Sequence, residues 1–201
     1  MKNLWLKKIK YKIEELLNVP LKLDYNPKIK MCRQSQYPIR RNHPCGKEPE
    51  TCKWIEDYVK KGDIFYDIGA CAGGYSFVAE LNGAFVYAFD PKEDLIVKNI
   101  KMNNSKIIFF PVAPDNNLHK LDDFKIQKPD HIKLDVDGVE IEVVKGAIEC
   151  IKHVKSMMIE ISENREEVMK IIGEHMTLKG TYKREAPNTF NYLYEKLVAK
   201  N

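Results

Sequence analysis

The middle of the chain alternates short, apolar, β-prone runs with segments of helical period. The runs occupy residues 63–67, 84–90, 106–112, 131–136 and 156–161, and helical patterns at 75–81, 93–103 and 139–151 lie between most of them. Strands that alternate with helices over short connections predict a parallel sheet covered on both faces. The near-continuous apolar character of the runs agrees, because strands buried on both faces carry few polar residues.

The flanking segments complete this prediction. Helical patterns occupy residues 49–60 and 163–173, and two β-prone runs at 180–185 and 190–196 are typical of an antiparallel pair. We therefore predict an α/β fold with a mostly parallel seven-stranded sheet, an antiparallel closing strand and helices on both faces.

Acidic residues end several of the predicted strands. Asp67, Asp90 and Asp135 each close one, and Glu160 lies near the end of another. In open α/β sheets, ligands bind outside the carboxyl ends of the strands, near the point where strand order reverses. Carboxylates gathered at one edge repel each other, so the pattern indicates a ligand with positive charge, hydroxyl groups or a metal.

The turn after the first of these strands reads Asp67-Ile68-Gly69-Ala70-Cys71-Ala72-Gly73-Gly74. Its glycines allow a ligand to approach the backbone closely, but their spacing is not the dinucleotide fingerprint. The acid before the turn also disfavours a pyrophosphate. S-adenosylmethionine (SAM) has no phosphate and carries an ammonium group that Asp67 could bind, while Asp90 could accept hydrogen bonds from ribose hydroxyls. The alternative is that both acids merely cap helices.

Five segments carry a resemblance to a known family. They are KEPET at 47–51, GDIFYDIGA at 62–70, VYAFDP at 86–91, LDDF at 121–124 and IKLDVDGVE at 132–140. In this order they resemble the motifs of the FkbM-type methyltransferases. The resemblance implies a Rossmann-like class I methyltransferase fold, SAM as the methyl donor, and O-methylation of a sugar, a glycan or another hydroxyl-bearing metabolite.

The chain departs from the family pattern in places. Cys71 stands where the family usually has Asn, while Asp90 and Asp137 stand where it usually has Glu. Residues 113–120 form a shorter segment than usual. The residues expected to hold the cofactor are Asp67, Gly69, Ala70, Cys71, Gly73, Tyr75, Asp90, Pro91, Val112, Ala113 and Asp135.

Four carboxylates are candidates for the catalytic base. A hydroxyl acceptor has a high pKa, so a base helps to remove its proton as the methyl group arrives. The candidates are Asp135, Asp137, Glu140 and Glu160. Asp137 and Glu140 could instead form a helix capping box. Asp135, Asp137 and Glu160 could also bind Mg²⁺ or Ca²⁺, although we do not favour a metal.

Two basic side chains share the strand that contains Asp135. Lys133 lies on the same side as Asp135 by the period of two, and a buried lysine needs a partner. We therefore expect Lys133 to form a structural salt bridge with one of the acids. We interpret His131 as a residue that starts the strand and not as a catalyst.

Charge divides the chain into two predicted parts. Residues 1–43 contain eleven Lys or Arg and three Asp or Glu, while the rest sums to a net charge of −4. We predict a basic arm at 1–43 and a SAM-binding domain at 44–201. The arm begins with a basic amphipathic helix at 4–17, and extended, irregular chain follows at 18–46 with a short strand near 28–32. The helix packs on the domain or lies weakly on a membrane surface.

The five cysteines, Cys32, Cys45, Cys52, Cys71 and Cys150, form no CxxC pair. Because no export signal is recognisable, we expect a cytoplasmic protein with free thiols. A zinc site from His43, Cys32, Cys45 and Cys52 is a less favoured alternative.

Three other functions remain open at this stage. They are methylation of RNA ribose or another nucleic-acid group, a nicotinamide dehydrogenase, and a non-catalytic Rossmann-like binding protein. The basic arm would suit an anionic partner such as nucleic acid. The glycine spacing argues against the dehydrogenase. The sequence leaves the oligomeric state open.

Overall fold

A computed structural model describes residues 13, 17, 19–33, 43–184 and 187–197. A seven-stranded sheet forms its centre, in the order Ile108–Phe110, Phe85–Phe89, Ile64–Ile68, His131–Leu134, Ser156–Ile161, Phe190–Lys196 and Met176–Lys183. The first five of these strands pair in parallel, and Phe190–Lys196 pairs antiparallel with both of its neighbours. The predicted fold class is therefore confirmed.

The strands are Leu21–Lys22 (β1), Lys30–Met31 (β2), Ile64–Ile68 (β3), Phe85–Phe89 (β4), Ile108–Phe110 (β5), His131–Leu134 (β6), Ser156–Ile161 (β7), Met176–Lys183 (β8) and Phe190–Lys196 (β9). The α-helices are Pro44–Lys47 (α1), Pro49–Tyr58 (α2), Gly74–Leu81 (α3), Ile96–Asn103 (α4), Glu140–Lys145 (α5), Ile148–His153 (α6) and Arg165–Gly173 (α7). Among the residues described, no helix is long and apolar enough to cross a membrane.

The apolar core lies on both faces of the sheet, as the continuous strands predict. One cluster gathers β3, β6 and β7 side chains with those of α5, α6 and α7. The other packs α2, α3 and α4 against the opposite face. Every residue of β3 is buried. This burial holds the central strand in place, and with it the turn that follows Ile68.

The predicted helix over 139–151 is wrong in one respect, because the structure breaks it into α5 and α6. A Cβ at Gly146 would lie 1.9 Å from the carbonyl oxygen of Asp115, so a neighbouring loop passes close to the break. Asp122 accepts hydrogen bonds from the backbone N–H groups of Glu149 and Cys150. These bonds satisfy the start of the second helix, which continues two residues beyond the predicted end.

The segment before residue 43 is partly described. Strands β1 and β2 form a small antiparallel hairpin, and Leu23 and Met31 are fully buried in the core beside α2 and α4. Residues 21–32 therefore share the core of the following domain. The amphipathic helix predicted over 4–17 lies outside the described residues except for Ile13 and Leu17.

The one-turn helix α1 was not predicted, because residues 18–46 read as extended chain. Its first turn begins at Pro44, whose ring suits the first helical position. Asp24, which follows β1, accepts hydrogen bonds from the N–H groups of Cys45 and Gly46. A long-range contact from the hairpin thus fixes a helix that the local sequence does not reveal.

Candidate active site

A cavity of about 540 Å³ opens at the carboxyl ends of the parallel strands. Its lining runs from the segment after β5, past the ends of β4 and β3, to the ends of β6 and β7. The order of strands reverses between β3 and β6, which is where open α/β sheets bind ligands. The volume lies within the range of cofactor sites.

The glycine turn after β3 forms one wall of this cavity. Gly69 has a φ of +79°, and a Cβ there would lie 1.8 Å from the carbonyl oxygen of Asp135. The absence of a side chain at Gly69 therefore lets the ends of β3 and β6 come together. Gly73, also with positive φ, precedes α3 and does not line the cavity.

Asp90 lies at the cavity, immediately after β4, and is almost buried. Its two carboxylate oxygens accept backbone hydrogen bonds of 2.8 Å, one from Cys71 and one from Lys92. Each oxygen can accept a further hydrogen bond. The carboxylate is thus oriented by the backbone and retains capacity for two hydroxyl donors.

Asp67, predicted to contact the cofactor, is fully buried and does not line the cavity. Ser76 donates a hydrogen bond of 2.5 Å to its Oδ2. Its Oδ1 accepts no hydrogen bond from the described residues and faces Lys133 Nζ at 3.5 Å. Burial raises the pKa of Asp67 in spite of this lysine. Asp67 therefore supports Lys133 from behind the cavity.

Lys133 forms the salt bridge expected from its place on β6. It is only 3% exposed, and its Nζ lies 3.5 Å from both Asp67 Oδ1 and Asp135 Oδ2. Burial disfavours its charge, but Asp135, Asp67 and Glu48 outweigh burial and hold the pKa of Lys133 above its ordinary value. Lys133 therefore stays protonated at the base of the cavity, which it lines.

Three carboxylates meet at the β6 and β7 end of the cavity. Glu48, Asp135 and Glu160 each place one oxygen within 4.8 Å of the others. Lys47 Nζ lies 2.7 Å from Glu48 and 4.0 Å from Asp135, and Arg184 contacts Glu48 at 2.7 Å and Glu160 at 2.9 Å. Lys47, Arg184 and Lys133 are therefore three cations that already lie among these three acids.

Glu48 is the most highly connected acid of this network. It is 2% exposed, and besides Lys47 and Arg184 it accepts hydrogen bonds from Thr51 and Asn191. Burial opposes its ionisation, yet Lys47, Lys133 and Arg184 hold its pKa at about 2. The carboxylate is ionised at all ordinary pH values.

Glu160 differs from Glu48 in its protonation. Burial first and the nearby Asp135 second raise the pKa of Glu160 to about 7, although Arg184 acts in the opposite direction. Its side chain is 16% exposed and lines the cavity. A carboxylate with a pKa near neutrality can take up and release a proton under ordinary conditions.

The predicted capping box is wrong in detail. Helix α5 has no side-chain cap, and Glu140 accepts a hydrogen bond of 2.7 Å from the N–H of Gly138. Ser162 also donates to Glu140, which is 1% exposed and does not line the cavity. Glu140 thus ties the loop after β6 to the loop after β7. Asp137, in contrast, is exposed at the cavity with a φ of +50°.

The structure brings most of the predicted site residues together. Eleven line the cavity: Gly69, Ala70, Cys71, Tyr75, Asp90, Pro91, Val112, Ala113, Asp135, Asp137 and Glu160. Three do not: Asp67, Gly73 and Glu140. His131 lies at the opposite end of β6, where its ring nitrogens contact Ser156 Oγ at 2.8 Å and Asp63 Oδ2 at 3.1 Å. This placement agrees with its interpretation as a strand-start residue.

Sequence reasoning assigned no role to Lys47, Glu48 or Arg184. The signal for the first two was present, because both begin the segment KEPET that carries the family resemblance. Arg184 had no such signal. Arg184 follows β8, which pairs antiparallel with β9. Its guanidinium contacts Glu48, which lies 136 positions earlier in the sequence.

The cysteines form no disulfide. Cys45 Sγ and Cys52 Sγ lie 3.1 Å apart, in hydrogen-bond contact. Within the described part of the chain, the only group of three or more residues able to share a metal ion is Glu48, Asp135 and Glu160. Neither the zinc set with Cys32 and His43 nor the set that includes Asp137 is assembled.

The donor set fits SAM. Asp90 retains acceptors for two ribose hydroxyls, and apolar side chains flank it for an adenine ring, among them Leu95 and Val112. The β6 end offers both a cation, Lys47, and a carboxylate, Asp135, for an amino-acid group.

No family model matches the sequence, and no curated protein matches it significantly. Solved structures do. A candidate rRNA methylase from Clostridium thermocellum superposes with a TM-score of 0.62 at 11% identity, covering 76% of this chain and 96% of that one. SMU.1697c from Streptococcus mutans, a candidate methyltransferase in complex with S-adenosylhomocysteine (SAH), gives 0.59 at 12%, covering 75% and 98%.

A methyltransferase FkbM from Methylobacillus flagellatus gives a TM-score of 0.52 at 18% identity, covering 67% of this chain and 43% of that one. At these identities the likeness shows the fold. The chain therefore has the Rossmann-like fold of the SAM-dependent methyltransferases, as the sequence predicts.

Proposed function

We propose that this chain is a SAM-dependent methyltransferase that methylates a hydroxyl group of a small molecule or glycan. One observation carries the proposal. A single cavity connects the oriented carboxylate of Asp90 with the carboxylates of Asp135 and Glu160 at the other end. The first suits the ribose of the cofactor, and Glu160 suits an acceptor that must lose a proton.

When bound, SAM supplies an electrophilic methyl group on a sulfonium. Asp90 would hold the ribose, and Gly69, Ala70 and Cys71 shape the wall beside it. The turn and the ends of the strands restrict where an acceptor can lie, and such positioning accounts for much of the rate gain in a bimolecular transfer.

Glu160 is the proposed proton acceptor among the four predicted candidates. Its pKa of about 7 places it between its two protonation states at neutral pH, and it lines the cavity. Glu140 is buried against Gly138 and Ser162 and cannot reach an acceptor. Asp135 faces the buried cation Lys133 at 3.5 Å, and Arg184 binds Glu160 through one oxygen, Oε2, at 2.9 Å. A proton from the acceptor hydroxyl would pass to a carboxylate oxygen of Glu160.

Titration with SAH in a calorimeter tests the cofactor assignment. We expect Asp90→Ala to weaken SAH binding about a hundredfold, because two hydrogen bonds to a charged group are worth about 3 kcal/mol. Asp57→Ala is the control, since Asp57 pairs with Lys53 on the outside of α2. Absence of binding by the wild type, or an unchanged affinity in Asp90→Ala, would refute the proposal.

RNA is a second candidate acceptor. The structural neighbour from Clostridium thermocellum is named as an rRNA methylase, and residues 1–43 carry a net charge of +8. Binding of an RNA that weakens steeply with rising salt would favour this candidate, because phosphate contacts release counterions. Methyl transfer to a sugar in the absence of RNA would favour the small-molecule acceptor.

A further inference from the structure

Three lysines line the cavity: Lys47, Lys92 and Lys133. They differ in their exposure and in the residues that they contact. Lys133 is 3% exposed and is fixed between Asp67 and Asp135. Lys92 is exposed and follows Asp90 by two residues, so it lies at the ribose end. Lys47 is 37% exposed and belongs to the opposite end, beside Asp135.

We propose that Lys47 is the residue that binds the carboxylate of the cofactor's methionine group, with Asp135 as the partner of its ammonium. The inference rests on the proposed SAM site. An α-amino acid is a zwitterion, and the cation and anion that complement it must lie side by side. Lys47 Nζ and Asp135 Oδ2 lie 4.0 Å apart, which is too far for a hydrogen bond but close enough to face one zwitterion.

The direction of the cavity supports this assignment. Asp90 follows β4, and the apolar lining at Val112 and Ala113 follows β5, the edge strand. With the ribose at Asp90 and the adenine towards β5, the methionine end must run the other way, past β3 to β6. Lys47 and Asp135 lie at that end.

Lys47 can turn to a ligand without exposing an unpaired charge. Its present partner, Glu48, keeps the hydrogen bonds from Arg184, Thr51 and Asn191 if the ammonium moves away. A buried carboxylate left without partners would oppose such a movement. The network therefore holds Lys47 near the site but does not depend on it.

The backbone of Lys47 is fixed by distant parts of the chain. Arg184 donates a hydrogen bond of 3.2 Å to the Lys47 carbonyl, and Asp24 holds the N–H groups of Cys45 and Gly46 in the same turn. The side chain thus projects from a fixed point. This arrangement gives the hairpin β1–β2 a function, since it places the helix that carries Lys47.

The test compares two ligands on the same variants. SAH contains the amino-acid group, while 5′-methylthioadenosine has the same nucleoside but lacks that group. We expect Lys47→Met to weaken SAH binding about tenfold, the effect of one partly exposed charge-assisted hydrogen bond, and to leave 5′-methylthioadenosine binding within about twofold. Lys47→Arg should retain most of the affinity for SAH, because the charge remains.

Lys92→Met is the matched control, a lysine of the same cavity at its other end. We expect the ratio of the two affinities to stay at its wild-type value in this variant. An unchanged SAH affinity in Lys47→Met, or an equal loss for both ligands, would overturn the inference while leaving the cofactor assignment standing. Failure of the wild type to bind either ligand would instead overturn the proposed function itself, and the assignment of Lys47 with it.

Discussion

Replacing Gly69 by alanine should separate the two strands that form the binding crevice. Gly69 has a φ of +79°, and an added Cβ would lie 1.8 Å from the Asp135 oxygen and 2.8 Å from its carbonyl carbon. Both atoms belong to the backbone, so no side-chain rotation relieves the overlap. The ends of β3 and β6 must move apart instead.

The magnitude follows from two contributions. A non-glycine residue in the left-handed region costs about 1–2 kcal/mol, and forced overpacking in a close contact costs about 1–3 kcal/mol. The expected loss is therefore about 2–5 kcal/mol of the free energy of unfolding. For a chain of this length, such a loss lowers Tm by roughly 10 °C.

Gly62→Ala provides the matched control. Gly62 also has a positive φ, +92°, but an added Cβ would meet nothing within 4 Å. The backbone contribution is the same and the overlap is absent, so we expect a loss of only about 1–2 kcal/mol. Urea unfolding of both variants measures the difference. If Gly69→Ala is no more destabilised than Gly62→Ala, then the close approach of β3 to β6 is not what requires glycine.

Two further variants test the interior and the acid cluster. Ser156→Ala should lower the free energy of unfolding in urea by about 2 kcal/mol. The reason is that Trp54 Nε1 and His131 Nδ1, which lie 2.9 and 2.8 Å from Ser156 Oγ, both lose a buried partner. A loss no larger than that caused by Ser105→Ala, at a half-buried serine, would contradict this. Glu160→Gln should gain stability over the wild type as pH rises from 4.5 to about 7, since Glu160 stays protonated in the folded state while it ionises in the unfolded state. A stability difference that is constant over that range would contradict the raised pKa.

The sequence predicted the sheet because its signals are local. Apolar runs such as 156–161 match the observed strand in both bounds, and the antiparallel partner of β7 matches residues 190–196. Strand β8, the other partner of β9, is longer than predicted. It begins at Met176, because β9 supplies hydrogen-bonding partners back to that residue. The extent of a strand depends on its neighbour, which a local pattern does not contain.

The candidate site was predicted where its residues follow strands and missed where they come from elsewhere. Asp90, Asp135 and Glu160 were identified because strands of one parallel sheet end at one edge. Asp67 and Glu140 were expected there too, but their side chains are buried away from the cavity. Sequence position fixes the strand end, whereas the direction of each side chain depends on packing.

The sequence by itself determined the architecture and the edge of the sheet where the cavity opens, because periodicity and the acids at strand ends are properties of neighbouring residues. Only the tertiary structure decided the electrostatics of that edge. Glu48 and Arg184 meet across 136 positions, and Arg184 joins Lys47 and Lys133 in keeping Glu48 ionised. Charges interact through space over a few ångströms, so their partners could be named only once the chain was folded.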